Sequence, residues 1–149
     1  MSSNENASCS LCKDAHEKPY REIMRNSHGV LMTSYEPIVE GHCMVLPLRH
    51  VKSWSALKPI EAKAVWELIE EACALLSRVY ALDCIVHVNK GAHATQSHVH
   101  AHIIPIEKRL RFRELFAKEL KKPPRERASE EALKAVQSRI QRHARQPKA

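Results

Sequence analysis

The longest regular hydrophobic pattern runs from Pro59 to about Tyr80. Val65, Leu68, Ile69, Ala72, Leu75, Leu76 and Val79 recur at the i, i+3, i+4 spacing of one helical face. Pro59 suits the first helical turn, with Ser55 or Lys58 just ahead of it. Trp66 and Cys73 widen the apolar stripe and are expected in the core, while Trp54 is either core or pocket wall, with core favoured. Upstream, the spacing predicts strands. Glu22 to Tyr35 reads as strand, turn at Asn26–Gly29, and strand. Pro37 to His42 connects, with Gly41 as a turn residue, and Cys43-Met44-Val45-Leu46 is a buried strand ended by Pro47, with Arg49 and His50 at its mouth.

Downstream, Cys84 to Asn89 alternates and is rich in β-branched residues. Lys90 to Ala94 turns the chain into a second run, Thr95 to Pro105, where His98, His100 and His102 alternate with Val99, Ala101 and Ile103. Strand side chains alternate between faces, so the three imidazoles line one face at roughly 6.5–7 Å spacing and the apolar residues line the other. Pro105, lacking an N–H, marks the strand's end or an edge. The two runs are expected to pair antiparallel, which brings Asn89, the loop and His100 together. Past Pro105, Leu110 to Leu120 reads as a basic amphipathic helix carrying Phe112, Leu115, Phe116 and Leu120, broken by Pro123-Pro124. Ser129 then caps a last helix with Glu130 and Glu131 in its first turn and Leu133, Val136 and Ile140 on one face. These helices are expected to dock on the body near the pocket mouth, with Gln141 to Ala149 frayed.

At 149 residues the chain has the length of a single domain, read here as a core over 1–106 and a helical extension over 107–149. No repeat of solenoid period is present, and no apolar run approaches the roughly 18 residues of a membrane span. The opening MSSNENASCS lacks the apolar segment of a signal peptide. Five cysteines are an odd count for a disulfide framework, so a reducing cytoplasm is expected. Charge is uneven. Up to Ile106, 10 Lys and Arg face 11 Asp and Glu; from Glu107 onward the numbers are 14 and 6. That basic extension is either a solvated, salt-bridged helical surface or a face for polyanions such as nucleic acid.

A single histidine is usually structural or exposed. Three in strict alternation on an apolar segment carry a desolvation cost that packing does not repay, which points to function. Neutral imidazole is a good nucleophile, and attack on phosphorus gives a phosphoramidate. That chemistry needs one ring nitrogen with its lone pair forward and the other fixed by an acceptor such as a backbone carbonyl. Flanking imidazoles and backbone N–H groups would stabilise the phosphate charge. Thr95, three residues before His98, could offer a hydroxyl to a phosphate oxygen, and His93 is expected to be exposed. Cys9-Ser10-Leu11-Cys12 could be a redox pair, half a metal site or a chance spacing. A structural zinc site takes four N or S ligands, and His50 and His98 are the favoured other two.

His98-Val99-His100-Ala101-His102-Ile103-Ile104 resembles the signature of the histidine triad (HIT) family, in which three histidines alternate with apolar residues. Gly41 to His50 is similar to the family's GHxLVIPKRH stretch, Ile85 to Gly91 to its strand ending in Asn-x-Gly, and Cys9 to Cys12 to the CxxC of its zinc-bearing members. The resemblance covers residues 9 to 105. It implies an α+β fold with a central antiparallel sheet, one long helix and C-terminal helices, often paired as a homodimer. It implies an enzyme that hydrolyses or transfers nucleoside monophosphate groups, from dinucleoside polyphosphates or other nucleotide conjugates, through a nucleotidyl-histidine. On this resemblance His100 is the nucleophile, and His102 assists at the phosphate or leaving group. Asn89 and Thr95 or Gln96 contact the phosphate, while Cys9, Cys12, His50 and His98 hold a structural zinc. The loop Gly91 to Ser97 is shorter than the family pattern, which leaves open which of Thr95, Gln96 and Ser97 meets the phosphate. Competing readings are removal of adenylate from nucleic-acid ends with the basic tail, nucleotide binding without catalysis, and a hydrolytic metal on the three histidines.

Overall fold

The structure is a computed structural model and describes residues 8–91, 96–107, 110–122 and 125–145. Five strands form one antiparallel sheet: β1 (Glu22–Arg25), β2 (Gly29–Thr33), β3 (Cys43–Pro47), β4 (Asp83–Val88) and β5 (Ala101–Ile106), in the order β1-β2-β3-β5-β4. Among the described residues four α-helices surround it: α1 (Ser10–Glu17), α2 (Pro59–Tyr80), α3 (Phe112–Leu120) and α4 (Glu130–Ala144). This is the α+β class with a long helix and C-terminal helices. No helix among the described residues is long and apolar enough to cross a membrane.

The period-2 pattern of the strands builds two layers. Leu31, Val45, Ala101 and Ile103 turn to one face and pack against the α2 stripe of Val65, Leu68, Ala72 and Leu76, all buried. Val30, Met32, Met44 and Leu46 turn to the other, where α1 covers them with Leu11 and its cysteines. His102 lies opposite Met44 in the β3–β5 register and opposite His87 in the β4–β5 register. It therefore sits on the α1 side of the sheet.

Local signals explain the element ends. The Asn26 side-chain carbonyl accepts from the N–H groups of His28 (3.1 Å) and Gly29 (2.8 Å), which closes the β1–β2 turn. The Glu61 carboxylate accepts from the Lys58 N–H at 2.8 Å, so Lys58 caps α2. Ser129 Oγ accepts from the Ala132 N–H at 3.2 Å and caps α4. Gly41 has φ +83°, and a Cβ there would lie 2.4 Å from the Tyr80 ring. Only glycine fits between Tyr80 and the chain as it turns into His42.

Several expectations are corrected. Trp66 is 59% exposed rather than in the core, and Cys73 is only half-buried, because both flank the stripe instead of belonging to it. Trp54 packs against the core but is half-buried. The helix α1 carries the CxxC pair and was not anticipated, since eight residues with few apolar positions give little periodicity. The last helix continues to Ala144, past the point where fraying was expected. Phe116 of α3 is 53% exposed.

The helix α4 is integral to the core. Ile140 is fully buried among α2 and sheet residues, and Gln137 and Gln141 donate to the Pro19 (2.7 Å) and Ile23 (3.1 Å) carbonyls. Ile140→Ala should therefore cost about 2–5 kcal/mol in denaturant unfolding. The same truncation at the exposed Ile60 should change stability by less than about 0.5 kcal/mol.

Candidate functional site

Two constellations meet at the start of β5. The first is a cluster of Cys9, Cys12, His50 and His98, whose ligand atoms all lie within 4.8 Å of one another. Cys9 caps α1, its sulfur accepting from the Cys12 N–H at 3.5 Å, so the CxxC spacing sets both thiols on one side of the first helical turn. Cys12 Sγ is 3.2 Å from His98 Nδ1 and 3.4 Å from His50 Nδ1, and Cys9 Sγ is 3.9 Å from His98 Nδ1. His50 and His98, far apart in sequence, are joined by the hydrogen bond from the Val99 N–H to the Val51 carbonyl at 2.9 Å. Arg49 steadies that loop, gripping the Glu61 carboxylate at 2.7 and 2.6 Å. Its guanidinium is the main cause that draws Glu61 down to about 2.

Burial lowers His98 to about 4, so its imidazole is neutral and has a lone pair to give. The other nitrogen, Nε2, is buried and meets no hydrogen-bond partner among the described residues. A proton on Nε2 leaves Nδ1 for a cation. Burial and then the Cys9 thiol push Cys12 up to about 12. A bound cation opposes both effects, because coordination selects the thiolate. Two sulfurs and two ring nitrogens at these separations fit the donor set and size of a tetrahedral metal site.

The second constellation is the histidine face. The sequence predicts one strand carrying all three histidines, whereas the sheet ladder begins only at Ala101. Residues 98–100 are held instead by the Val51 carbonyl and by the cysteine–histidine cluster. His100 is buried, and its Nδ1 lies 2.9 Å from the His98 carbonyl. A carbonyl can only accept, so the hydrogen-bond network assigns the proton to Nδ1 and the lone pair to Nε2.

His102 receives the opposite assignment. The Ile38 N–H donates to His42 Nδ1 at 3.1 Å, so His42 carries its proton on Nε2. That nitrogen is 3.0 Å from His102 Nδ1 and donates to it, which leaves His102 with an N–H on Nε2. Both rings stay neutral. Burial first, then the charges of His102 and Arg125, holds His42 at about 3. Burial first, then His100 and His87, holds His102 at about 4. The rings of His100 and His102 meet edge to face with centroids 4.8 Å apart. A nucleophilic nitrogen thus stands beside a hydrogen-bond donor.

His42, His100 and His102 line a cleft of about 340 Å³ together with Asn89, Gln96 and Arg125. A neighbouring cleft of about 480 Å³ shares His100, Asn89 and Gln96 and is walled by Lys52 and Trp54. The Ser10 hydroxyl donates to Gln96 Oε1 at 3.0 Å, tying α1 to the loop. Asn89 Oδ1 is 2.9 Å from His87 Nε2. Of the residues singled out from sequence, His100, His102, Asn89 and Gln96 converge on these clefts. Cys9, Cys12, His50 and His98 gather beside them. Thr95 and His93 lie outside the described residues. Sequence reasoning gave no role to His42, because only the fold sets it against His102. It also missed Lys18, Arg21, Arg125 and Arg127 around the same cleft.

Residues 15–109 match the model of the HIT domain. An uncharacterised HIT-like protein of Mycoplasma pneumoniae is 30% identical over 105 residues, covering 67% of this chain and 72% of the relative. Among solved structures, the diadenosine triphosphate hydrolase of Plasmodium falciparum, in complex with cyclomarin A, superposes with a TM-score of 0.69. It is 18% identical and covers 83% of this chain and 76% of that one. A Zn-bound histidine triad family protein from Mycobacterium smegmatis superposes with a TM-score of 0.68 at 18% identity, covering 92% and 96%.

The neutral histidines make stability depend on pH. In the unfolded chain each titrates near 6.5; in the fold His42 does so at about 3 and His102 at about 4. Between those values the unfolded chain binds more protons, so stability must fall as pH drops from about 6.5 toward about 4. His42→Gln keeps a donor toward His102 but cannot titrate. Its loss of unfolding free energy over that window should be smaller than that of the unsubstituted protein by roughly 1–2 kcal/mol, measured by denaturant titration at each pH.

Proposed function

Because the chain belongs to the histidine triad family, we propose that it cleaves a nucleoside monophosphate from dinucleoside polyphosphates or other nucleotide conjugates, through a nucleotidyl-histidine on His100. The observation that carries this reading is the His98 carbonyl on His100 Nδ1, which leaves Nε2 as an unprotonated nucleophile beside the His102 N–H.

In the first step His100 Nε2 attacks the α-phosphorus. A P–N bond forms, the bond to the leaving group breaks, and the leaving phosphate departs with the electron pair. The ring becomes cationic while keeping its Nδ1 proton on the His98 carbonyl, which stabilises the charge. The His102 N–H donates to a phosphate oxygen as charge builds there, and Asn89 and Gln96 position the loop. Water then attacks the phosphorus, the P–N pair returns to Nε2, and the proton of the water passes to solvent. The two clefts that share His100 suit a substrate with an arm on either side of the reacting phosphorus. The diadenosine triphosphate hydrolase among the structural relatives supports the same substrate class.

Cys9, Cys12, His50 and His98 are the residues that would hold zinc, a reading supported by their donor set and by the Zn-bound relative. Bound there, zinc would supply a structural cross-link. His98, whose ring belongs to this cluster, presents the carbonyl that orients His100, so the cluster residues position the nucleophile without including it.

His100→Ala should lower turnover of a dinucleoside polyphosphate by more than about 10³-fold with an unchanged circular dichroism spectrum. Detergent-quenched protein, kept at neutral to alkaline pH where the P–N bond survives, should carry a nucleotide adduct on His100 by mass spectrometry. Full activity in the variant would remove the mechanism. Metal analysis addresses the cluster separately. Cys12→Ser should lose zinc and melt at lower temperature, while His100→Ala keeps its zinc. Loss of zinc only with His100 would place the metal on the histidine face instead.

A further inference from the structure

The basic extension reaches the histidine cleft, and its charge there is not absorbed by the mechanism above. After α3 the chain returns to the body. The Ala128 N–H donates to the Tyr35 carbonyl at 2.8 Å, Ser129 caps α4, and Arg139 on α4 binds Glu40 at 2.7 Å. Residues 125–128 are thereby strapped along the segment that leads to His42. Arg125 and Arg127 line the cleft that holds His100 and His102.

Among the described residues, four cations and two carboxylates line this cleft. Arg21 is fully buried and committed to Asp14 and to the Thr33 carbonyl, and Lys18 binds the same Asp14 at 2.7 Å. Arg127 lies 3.8 Å from Glu36 and over the Tyr35 ring. Arg125 is exposed, and its charge acts on both His42 and His102. The imidazoles that would hold the reacting phosphate are neutral, so they do not balance the further negative charges of a polyphosphate. A guanidinium on the cleft wall does, and its planar fork matches phosphate oxygens.

We infer that Arg125 is a specificity residue that binds the phosphates beyond the reacting one, so that the C-terminal strap tunes the cleft to polyphosphorylated nucleotides. This rests on the reading of the cleft as a nucleotide site, but it does not depend on turnover. Arg125 neither attacks nor transfers a proton; it contacts the part of the ligand that departs. The net positive lining gives the preference its sign, and solvent exposure keeps it moderate.

The experiment is equilibrium binding of AMP, ADP and ATP to the full chain and to Arg125→Ala and Arg125→Lys, with melting curves to show that the exposed substitution leaves the fold intact. In the unsubstituted protein affinity should rise with each phosphate. In Arg125→Ala the ratio of ATP to AMP affinity should fall by roughly tenfold, and Arg125→Lys should keep part of it. No rise in affinity from AMP to ATP in the unsubstituted protein, or an equal loss for all three nucleotides in Arg125→Ala, overturns the inference. Failure of the catalytic reading shows elsewhere, as full activity in His100→Ala. Where turnover is measured, Arg125→Ala should lower kcat/KM for diadenosine triphosphate more than for adenosine 5′-phosphoramidate, whose leaving group carries no phosphate.

Discussion

The hydrogen bond between His100 Nδ1 and the His98 carbonyl is the contact on which the arrangement depends. A neutral imidazole has one proton for two nitrogens, and the nitrogen that keeps it decides whether the ring attacks or donates. A peptide carbonyl has no proton to give, so this partner removes the choice. The carbonyl in turn belongs to a residue whose own side chain is buried against Cys9, Cys12 and His50. One residue thus faces a metal-type cluster with its ring and the neighbouring ring with its backbone.

The same logic runs in mirror image through His42. A backbone N–H can only donate, so Ile38 fixes His42, and His42 fixes His102. Two adjacent histidines of one motif therefore present opposite faces of the same chemistry. Electrostatics support this, since two charged rings 4.8 Å apart would repel by about 3 kcal/mol at an effective dielectric near 20. Burial, together with the charge of Arg125, pushes in the same direction at His42 and His102. The site keeps neutral imidazoles at neutral pH by withholding water, at a cost in stability under acid.

Much of the fold was legible because the pattern was long or the local chemistry strong. The helix α2 runs for 22 residues, about six turns, and the Asn26 turn and the Ser129 cap are set by residues within three positions of each other. Where the pattern was short it misled or stayed silent. Trp66 lies beside the stripe and could be assigned to either side, and α1 is too brief for its period to show. The start of β5 was placed too early because alternation alone does not reveal what a backbone pairs with. Residues 98–100 bond to the His50 loop in place of a neighbouring strand.

By itself the sequence determined the chemical types at hand. Alternating histidines, a CxxC pair and a basic tail are written in the order of residues, and so was the grouping of Cys9 and Cys12 with His50 and His98 as one reading among others. The tertiary structure decided the pairings. His42 reaches His102 because β3 and β5 are neighbours in the sheet, and Arg125 reaches the cleft because α4 is anchored by the buried Ile140. Proton placement and local field depend on which groups lie within a few ångströms, and distance along the chain does not carry that information.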